Sequence, residues 1–129
     1  MNSKTKKLDR IVHHRADWAS DDRLWKGMLE GHETGSEVTL LFFSTTEIGE
    51  GPRLHVHPYD EVFIVRSGKA LFTIGNQKTQ VKAGDILLGP AGIPHKYQNL
   101  GPGPLETIDI HVSERWIQKN LLDPECSKG

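Results

Sequence analysis

The sequence predicts an all-β fold, either a sandwich or a barrel, and two observations support this prediction. From residue 37 to residue 109, short runs of apolar, β-branched or aromatic residues alternate with glycine, proline and asparagine. Short strands at such regular spacing are typical of all-β sandwiches and barrels. No stretch with the 3.6-residue period of an amphipathic helix interrupts this region.

Eight strands are predicted in this region from their apolar and β-branched content. They cover residues 38–45, 54–57, 61–66, 70–74, 79–82, 86–88, 96–98 and 106–112. A further strand over residues 24–30 can precede them. Gly75 and Asn76 separate two of the predicted strands, and both residue types tolerate a positive φ at low cost. We therefore expect a tight hairpin at this point.

The pattern changes after Ser113, which is a plausible helix N-cap. The following residues have the i, i+3, i+4 spacing of one helix face: Glu114, Trp116, Ile117, Leu121 and Leu122. This spacing predicts a short C-terminal helix over residues 113–122. A chain of 129 residues has room for one hydrophobic core. We therefore expect a single domain over residues 1–129, with an N-terminal extension at 1–23 and a barrel core at 37–112.

Composition and charge exclude several classes of partner. The net charge of −1 and the pI of about 6.6 give no basic field of the kind that nucleic acid or an anionic membrane would require. The basic cluster at residues 4–7 lacks the apolar segment of a signal peptide. Cys126, the one cysteine of the sequence, cannot form an internal disulfide. These features favour a reducing cytoplasm and a small-molecule partner.

Three histidines and one glutamate have the arrangement of a metal site. His55 and His57 are two residues apart and project to one face of a strand, and Glu61 keeps the same parity. His95 lies much farther along the chain, so only a folded sheet can bring it to the other three. Imidazoles with a carboxylate suit a divalent transition metal (Fe, Mn, Ni, Zn, Co or Cu) better than calcium or magnesium. The alternative is that these histidines have a structural role.

Two glycine-rich motifs surround these residues and resemble those of the cupin superfamily. The motifs read G-x5-H-x-H-x3-E-x6-G and G-x5-P-x-G-x2-H-x3-N, and every fixed position is matched. The matching residues are Gly49, His55, His57, Glu61 and Gly68, then Gly84, Pro90, Gly92, His95 and Asn99. The resemblance is to small, single-domain cupins, and it implies a jelly-roll barrel, also called a double-stranded β-helix. It also implies one metal ion per chain, bound by His55, His57, Glu61 and His95.

Two further residues are candidates for catalysis. Tyr97 has the parity of His95, so its phenol either faces the lumen as an acid or serves as a barrel-wall aromatic. His111 shares one face of the last predicted strand with Asp109, and aliphatic residues take the other face. We expect His111 to face the lumen near the metal, as a hydrogen-bond partner or an extra ligand, with Asp109 farther along. The competing arrangement lines the lumen with Ile108, Ile110 and Val112.

The resemblance implies a metal-dependent function but does not fix a reaction. A ferrous ion that binds substrate and O2 would support dioxygenase chemistry. A redox-inert ion would act as a Lewis acid in isomerase, lyase or cyclase chemistry, while Tyr97, His111 or Glu61 moves a proton. The alternative function is a non-catalytic module that binds a sugar or another small ligand. Small cupins usually pair, so we expect a homodimer, with residues 8–14 adding an edge strand to a neighbour.

Overall fold

The computed structural model describes residues 11–126, which form ten strands and two four-residue helices. The helices are α1 (Arg15–Trp18) and α2 (Gly31–Thr34). The strands are β1 (Gly27–Leu29), β2 (Thr39–Thr45), β3 (His55–Val56), β4 (Glu61–Ser67), β5 (Lys69–Ile74), β6 (Gln77–Lys82), β7 (Ile86–Gly89), β8 (His95–Asn99), β9 (Leu105–His111) and β10 (Lys119–Asn120). All eight strands predicted between residues 38 and 112 are present, with ends that shift by no more than two residues. The additional strand predicted over residues 24–30 is present as the shorter β1.

The strands form two five-stranded antiparallel sheets. The first sheet has the order β1-β2-β9-β4-β7, and the second has the order β10-β3-β8-β5-β6. Neighbours within each sheet are mostly far apart in sequence, which is the strand arrangement of a jelly roll. The structure therefore confirms the predicted all-β barrel.

Two glycines show how the sequence sets the turns of this barrel. Gly75 has a φ of 61° and lies in the two-residue connection between β5 and β6, where Ile74 pairs with Gln77. The predicted hairpin is therefore confirmed. Gly68 connects β4 to β5 with a φ of 88°, and a Cβ there would lie 2.3 Å from the Pro104 carbonyl oxygen. A larger residue at position 68 would need both a strained backbone and a shift of the neighbouring loop.

The two sheets pack around an aromatic and aliphatic core that fills one half of the barrel. This core consists of Phe63, Val65, Ala70, Phe72, Tyr97 and Leu105, all of which are buried. The Phe63 ring meets the Phe72 ring edge to face at 5.0 Å between centroids, which is a favourable arrangement for aromatic pairs. The core leaves the other half of the barrel interior to polar side chains.

The predicted C-terminal helix is wrong. Residues 113–122, all of which are described, contain no helix, and β10 pairs with β3 instead. Ser113 does accept a hydrogen bond from the Arg115 N–H, as an N-cap would, but the turn does not continue. Of the apolar residues that suggested a helix face, Leu121 is half-buried and the others are exposed, with Trp116 at 44% and Leu122 at 86%. Tertiary contacts of the backbone override the local pattern here: Leu121 N–H bonds to the Leu54 carbonyl, and the carbonyl of Ile117 reaches the barrel interior.

The N-terminal part of the described chain covers the outer side of β2, toward one edge of the first sheet. Trp18 stacks on Phe42 at 3.8 Å between ring centroids, and Trp25 donates a hydrogen bond to the Thr107 carbonyl. Of the edge strand expected over residues 8–14, residues 8–10 lie outside the described part, and residues 11–14 are in no strand. Within residues 11–126, no helix has the length and apolar character needed to cross a membrane.

Candidate metal centre

The four predicted metal ligands meet at one end of the barrel, between the two sheets. His55 begins β3 and pairs across the strands with His95, which begins β8. Glu61 begins β4 in the opposite sheet, and His57 lies in the loop between β3 and β4. One ligand atom from each of the four buried residues lies within 4.8 Å of the others. The expected cluster is therefore assembled.

Backbone carbonyls orient the three imidazoles. The Nδ1 of His55 lies 2.5 Å from the Arg53 carbonyl oxygen, and that of His57 lies 2.6 Å from the Ile117 carbonyl oxygen. The Nδ1 of His95 lies 3.3 Å from the Ile93 carbonyl oxygen. A carbonyl can only accept, so each Nδ1 carries the proton. The lone pair of each ring is thereby assigned to Nε2, which is the tautomer that a metal ligand needs.

The spacing of these atoms fits a divalent transition metal. The Nε2 atoms of His57 and His95 both lie 3.1 Å from Glu61 Oε1. Two ligand atoms that are each about 2.1 Å from an ion, at right angles to one another, are roughly 3.0 Å apart. The Nε2 of His57 is buried and has no hydrogen-bond partner among the described residues, so its lone pair faces a carboxylate oxygen. A cation between them removes that repulsion, so the residues present fit a metal ion.

The ionisation of the cluster also suits metal binding. The pKa of His55 is lowered to about 4, mainly by burial. The Arg53 carbonyl acts in the opposite sense, and the neighbouring His95 and His57 contribute to the lowering. Burial opposes ionisation of Glu61, but contacts with His111, His57 and His95 outweigh it and hold the pKa of the carboxyl below its ordinary range. At neutral pH, His55 is therefore neutral and Glu61 is charged, as metal ligation requires.

His111 lies in the barrel interior beside Glu61, as the sequence predicted. The two residues pair across β9 and β4, and His111 Nε2 lies 3.0 Å from Glu61 Oε2. The other ring nitrogen, Nδ1, is 2.7 Å from the hydroxyl of Tyr59. His111 therefore holds the carboxylate oxygen that does not face His57 and His95.

Sequence reasoning did not identify Tyr59 as part of this site. Its hydroxyl contacts His111 and also bonds to the backbone N–H and carbonyl of Ile117, each at 3.1 Å. The ring stacks on His57 with 5.0 Å between centroids. Its place two residues after His57 and two before Glu61, with the same parity, is the signal that could have found it.

The alternating burial along β9 shows which of its residues line the lumen. Thr107, Asp109 and His111 are buried, and the aliphatic residues between them are half-buried on the other side of the sheet. Val112 follows them and is exposed. The competing arrangement, with Ile108, Ile110 and Val112 in the lumen, is therefore wrong.

Tyr97 lies deeper in the barrel, away from the position expected for an acid beside the metal. Its hydroxyl donates to Asp109 Oδ2 at 2.7 Å and lies 3.1 Å from Thr107 Oγ1. Burial raises the pKa of Tyr97 well above its ordinary value, and the nearby Asp109 raises it further. Burial and the charge of Glu61 raise the pKa of Asp109 to about 8, against the lowering effect of the neighbouring Tyr97 and Thr107 hydroxyls.

A cavity of about 110 Å³ connects the ligand cluster to this deeper pair. Its lining includes the ligands His55, Glu61 and His95 together with Asp109 and His111. The remaining wall is largely apolar, with contributions from Leu41, Phe43 and Phe63. A small molecule in this cavity would meet the metal ligands at one end and Asp109 farther in.

The chain belongs to the cupin family. The family profile described as Cupin domain matches residues 42–111, which is more than half of the chain. A protein of Streptomyces coelicolor is 43% identical over 94 residues, covering 73% of this chain and 85% of the relative. A protein of Methanocaldococcus jannaschii is 36% identical over 62 residues, which cover 47% of this chain and only 50% of the relative. Both relatives are described as uncharacterized proteins.

Solved structures share the fold of this chain. A protein of Klebsiella pneumoniae with a double-stranded β-helix domain has a TM-score of 0.66 and 22% identity, covering 85% of this chain and 96% of that one. Oxalate decarboxylase of Bacillus subtilis, whose structure was studied for its Mn(II) centres, has a TM-score of 0.67 and 22% identity. It aligns with 74% of this chain, which spans only 27% of the decarboxylase. At this identity the likeness extends to the fold alone.

Proposed function

We propose that this protein is a metal-dependent cupin that acts on a small, oxygen-rich organic molecule bound at one divalent transition metal ion. The observation that carries this proposal is the clustering of His55, His57, Glu61 and His95, whose ligand atoms lie within 4.8 Å of one another, with the Nδ1 of each imidazole facing a backbone carbonyl. Four protein ligands leave room in the coordination shell of a five- or six-coordinate ion. The cavity beside the ligands provides space for the organic molecule.

A bound ion would supply Lewis acidity for isomerase, lyase or cyclase chemistry, or, if redox-active, a place where substrate and O2 meet for dioxygenase chemistry, with the electrons coming from the substrate. The protein's own groups would orient the ligand and exclude water. His111 is the group best placed to move a proton, because its Nε2 contacts Glu61 and its Nδ1 contacts the Tyr59 hydroxyl. Tyr97 would contribute as a positioning residue, since its hydroxyl is bonded within the wall to Asp109 and Thr107.

Anaerobic purification followed by elemental analysis tests the proposal. We expect about one transition metal ion per chain in protein from metal-supplemented cells. Iron, together with oxygen uptake in the presence of a substrate, would support dioxygenase chemistry, whereas zinc, nickel or manganese would leave both reaction classes open. Protein without stoichiometric metal would overturn the proposal. Metal-loaded protein that binds ligands without converting them would instead indicate the non-catalytic binding module.

We also propose that the protein is a homodimer, with the outer face of the first sheet as its interface. Registered cross-strand pairs place six aliphatic side chains together on this face: Val62, Ile64, Ile86, Leu88, Ile108 and Ile110. Ile86 is 67% exposed and Leu88 is 53% exposed. A contiguous apolar face of this kind favours a protein interface over solvent. In a dimer with a two-fold axis the same face of each subunit contacts the other, so apolar surface packs against apolar surface.

The cytoplasm is the compartment that we propose for the protein. Cys126 is exposed and its thiol is free. A reducing environment would keep an exposed thiol of this kind from forming intermolecular disulfides.

A further inference from the structure

The deeper end of the cavity contains a carboxyl group with one unsatisfied oxygen. Asp109 Oδ2 accepts the hydrogen bond from the Tyr97 hydroxyl. Asp109 Oδ1 is buried and has no hydrogen-bond partner among residues 11–126. A buried polar atom left without a partner destabilises the fold, so a partner supplied by a ligand would recover part of that cost.

The neighbours of Asp109 fix the direction of this oxygen. The Tyr97 hydroxyl contacts both Asp109 and Thr107, and all three side chains are buried. The phenol ring is itself held by edge-to-face contact with Phe43, at 5.5 Å between centroids. The carboxyl group therefore cannot turn to satisfy Oδ1 elsewhere without breaking the bond to Tyr97.

Asp109 is also in the right place to meet a ligand that the metal holds. It lines the same cavity as His55, Glu61 and His95. It lies two residues before His111 on the same face of β9, so the two Cα atoms are about 6.8 Å apart along the strand. A ligand of several carbon atoms, bound at one end by the metal, would extend toward Asp109.

We propose that Asp109 Oδ1 binds a hydroxyl group of the ligand, at the end of the molecule opposite its metal-binding oxygen. A hydroxyl both donates and accepts, so it satisfies Oδ1 whether or not the carboxyl carries a proton. The ligand class is therefore a small carboxylate or other metal-binding oxygen compound with a hydroxyl a few bonds away. This inference rests on the proposed metal centre and adds a recognition element to it.

Matched pairs of carboxylates test the inference on manganese- or cobalt-loaded protein. The probes are 4-hydroxybutanoate against butanoate and 3-hydroxypropanoate against propanoate, with affinity measured by isothermal titration calorimetry. We expect at least one hydroxylated probe to bind about tenfold more tightly than its parent, which is the effect of one buried hydrogen bond. Asp109→Leu should abolish this preference, and Asp109→Asn should retain it because the amide still offers a polar partner. Glu106→Gln, a carboxylate change on the outer face of the same strand, is the matched control and should leave the preference unchanged.

The outcomes separate this inference from the proposed function. Equal affinity for both members of each pair in the wild type would overturn the role of Asp109, while metal binding would stand. This comparison does not depend on the folding of any variant. A preference that survives Asp109→Leu in folded, metal-loaded protein would overturn it as well. Wild-type protein that binds no metal would overturn both proposals together.

Discussion

The inner and outer faces of the first sheet differ in polarity, although the same strands form both. On the inner face, β9 and β4 present Asp109, His111 and Glu61, all of them buried and in contact with other polar groups. On the outer face, the residues between them are aliphatic and remain half-buried or exposed. The usual arrangement of a sheet, with apolar residues inside and polar residues outside, is reversed at this end of the barrel.

This reversal shows that polarity alone does not tell the inside of this barrel from its outside. Burial of Glu61 or His111 is favourable only because each has polar partners at about 3 Å, and a metal ion would strengthen that compensation. Exposure of aliphatic residues on the outer face is favourable only if another surface covers them. The proposed metal would stabilise the inner face and the proposed second subunit would cover the outer face, and each proposal can be tested separately.

The largest effect is expected on the inner face, from His57→Ala. Loss of a partner outside the coordination shell typically weakens metal affinity by about 10–100-fold, so loss of a ligand should exceed that range. Elemental analysis of the purified variant should find the site largely empty. His14→Ala, which removes an exposed imidazole outside the cluster, is the control and should leave the metal content unchanged. Full metal content in the His57 variant would contradict the assignment of this ligand.

Ile64→Arg tests the outer face alone. Ile64 pairs with Ile108 on one side and with Ile86 on the other, so the new charge would lie in the middle of the proposed interface. Burying an unpaired charge is strongly unfavourable, so light scattering should change from the mass of two chains to the mass of one. Ile48→Arg, at an exposed loop position, should remain dimeric. Wild-type protein that is monomeric at micromolar concentration would refute the interface.

The raised pKa of Asp109 predicts that metal-free protein becomes less stable as pH rises toward 8. Its pKa of about 8 lies above the ordinary value of 3.8, so the folded state binds the extra proton between these pH values. The free energy of unfolding should then fall as pH rises through this window. His55 acts in the opposite sense, with stability lost as pH falls from 6.5 toward 4, so the Asp109 effect is isolated above pH 6.5.

Urea unfolding of chelator-treated protein at pH 6.5 and pH 8 measures this effect. We expect a loss of up to about 2 kcal/mol for the wild type, since one proton corresponds to about 1.4 kcal/mol per pH unit. Asp109→Asn cannot ionise and should abolish the decline. An unchanged or rising stability across this range in the wild type would show that Asp109 is already ionised.

The smallest effect is expected from Tyr59→Phe, which removes one hydroxyl from the periphery of the inner site. That hydroxyl contacts Nδ1 of His111 and donates a hydrogen bond to the Ile117 carbonyl, which in turn contacts Nδ1 of His57. Metal affinity should fall by about tenfold, while the stoichiometry stays near one ion per chain. Competition with a metal chelator measures the change. An affinity equal to that of the wild type would show that the ring alone, stacked on His57, is sufficient.

The fold and the metal ligands could be predicted because strand patterns, turn residues and the two motifs are visible in the sequence. His55, His57 and Glu61 fall in the first motif and His95 in the second, and glycines such as Gly75 mark the turns. The position of His111 was also accessible, because the parity of β9 leaves only two choices. The C-terminal helix was predicted wrongly because the periodicity of residues 113–122 carries no information about the unpaired edge of β3, which this segment joins.

The role of Tyr59 was missed for a related reason. Its partners, His111 and Ile117, lie 52 and 58 residues away, and the contact to Ile117 is made with the backbone. A backbone group leaves no signature in the residue type that carries it. Contacts of this kind become visible only when the strands have been paired.

The hydrogen bond from His57 to the Ile117 carbonyl joins residues that are 60 positions apart. During synthesis the chain emerges from its N-terminal side, so His57 is exposed to the cell long before Ile117 exists. Before then no backbone carbonyl from this segment is available to hold the proton on Nδ1 of the imidazole. The group that orients His57 is therefore supplied only after the C-terminal segment has been made and has paired with β3.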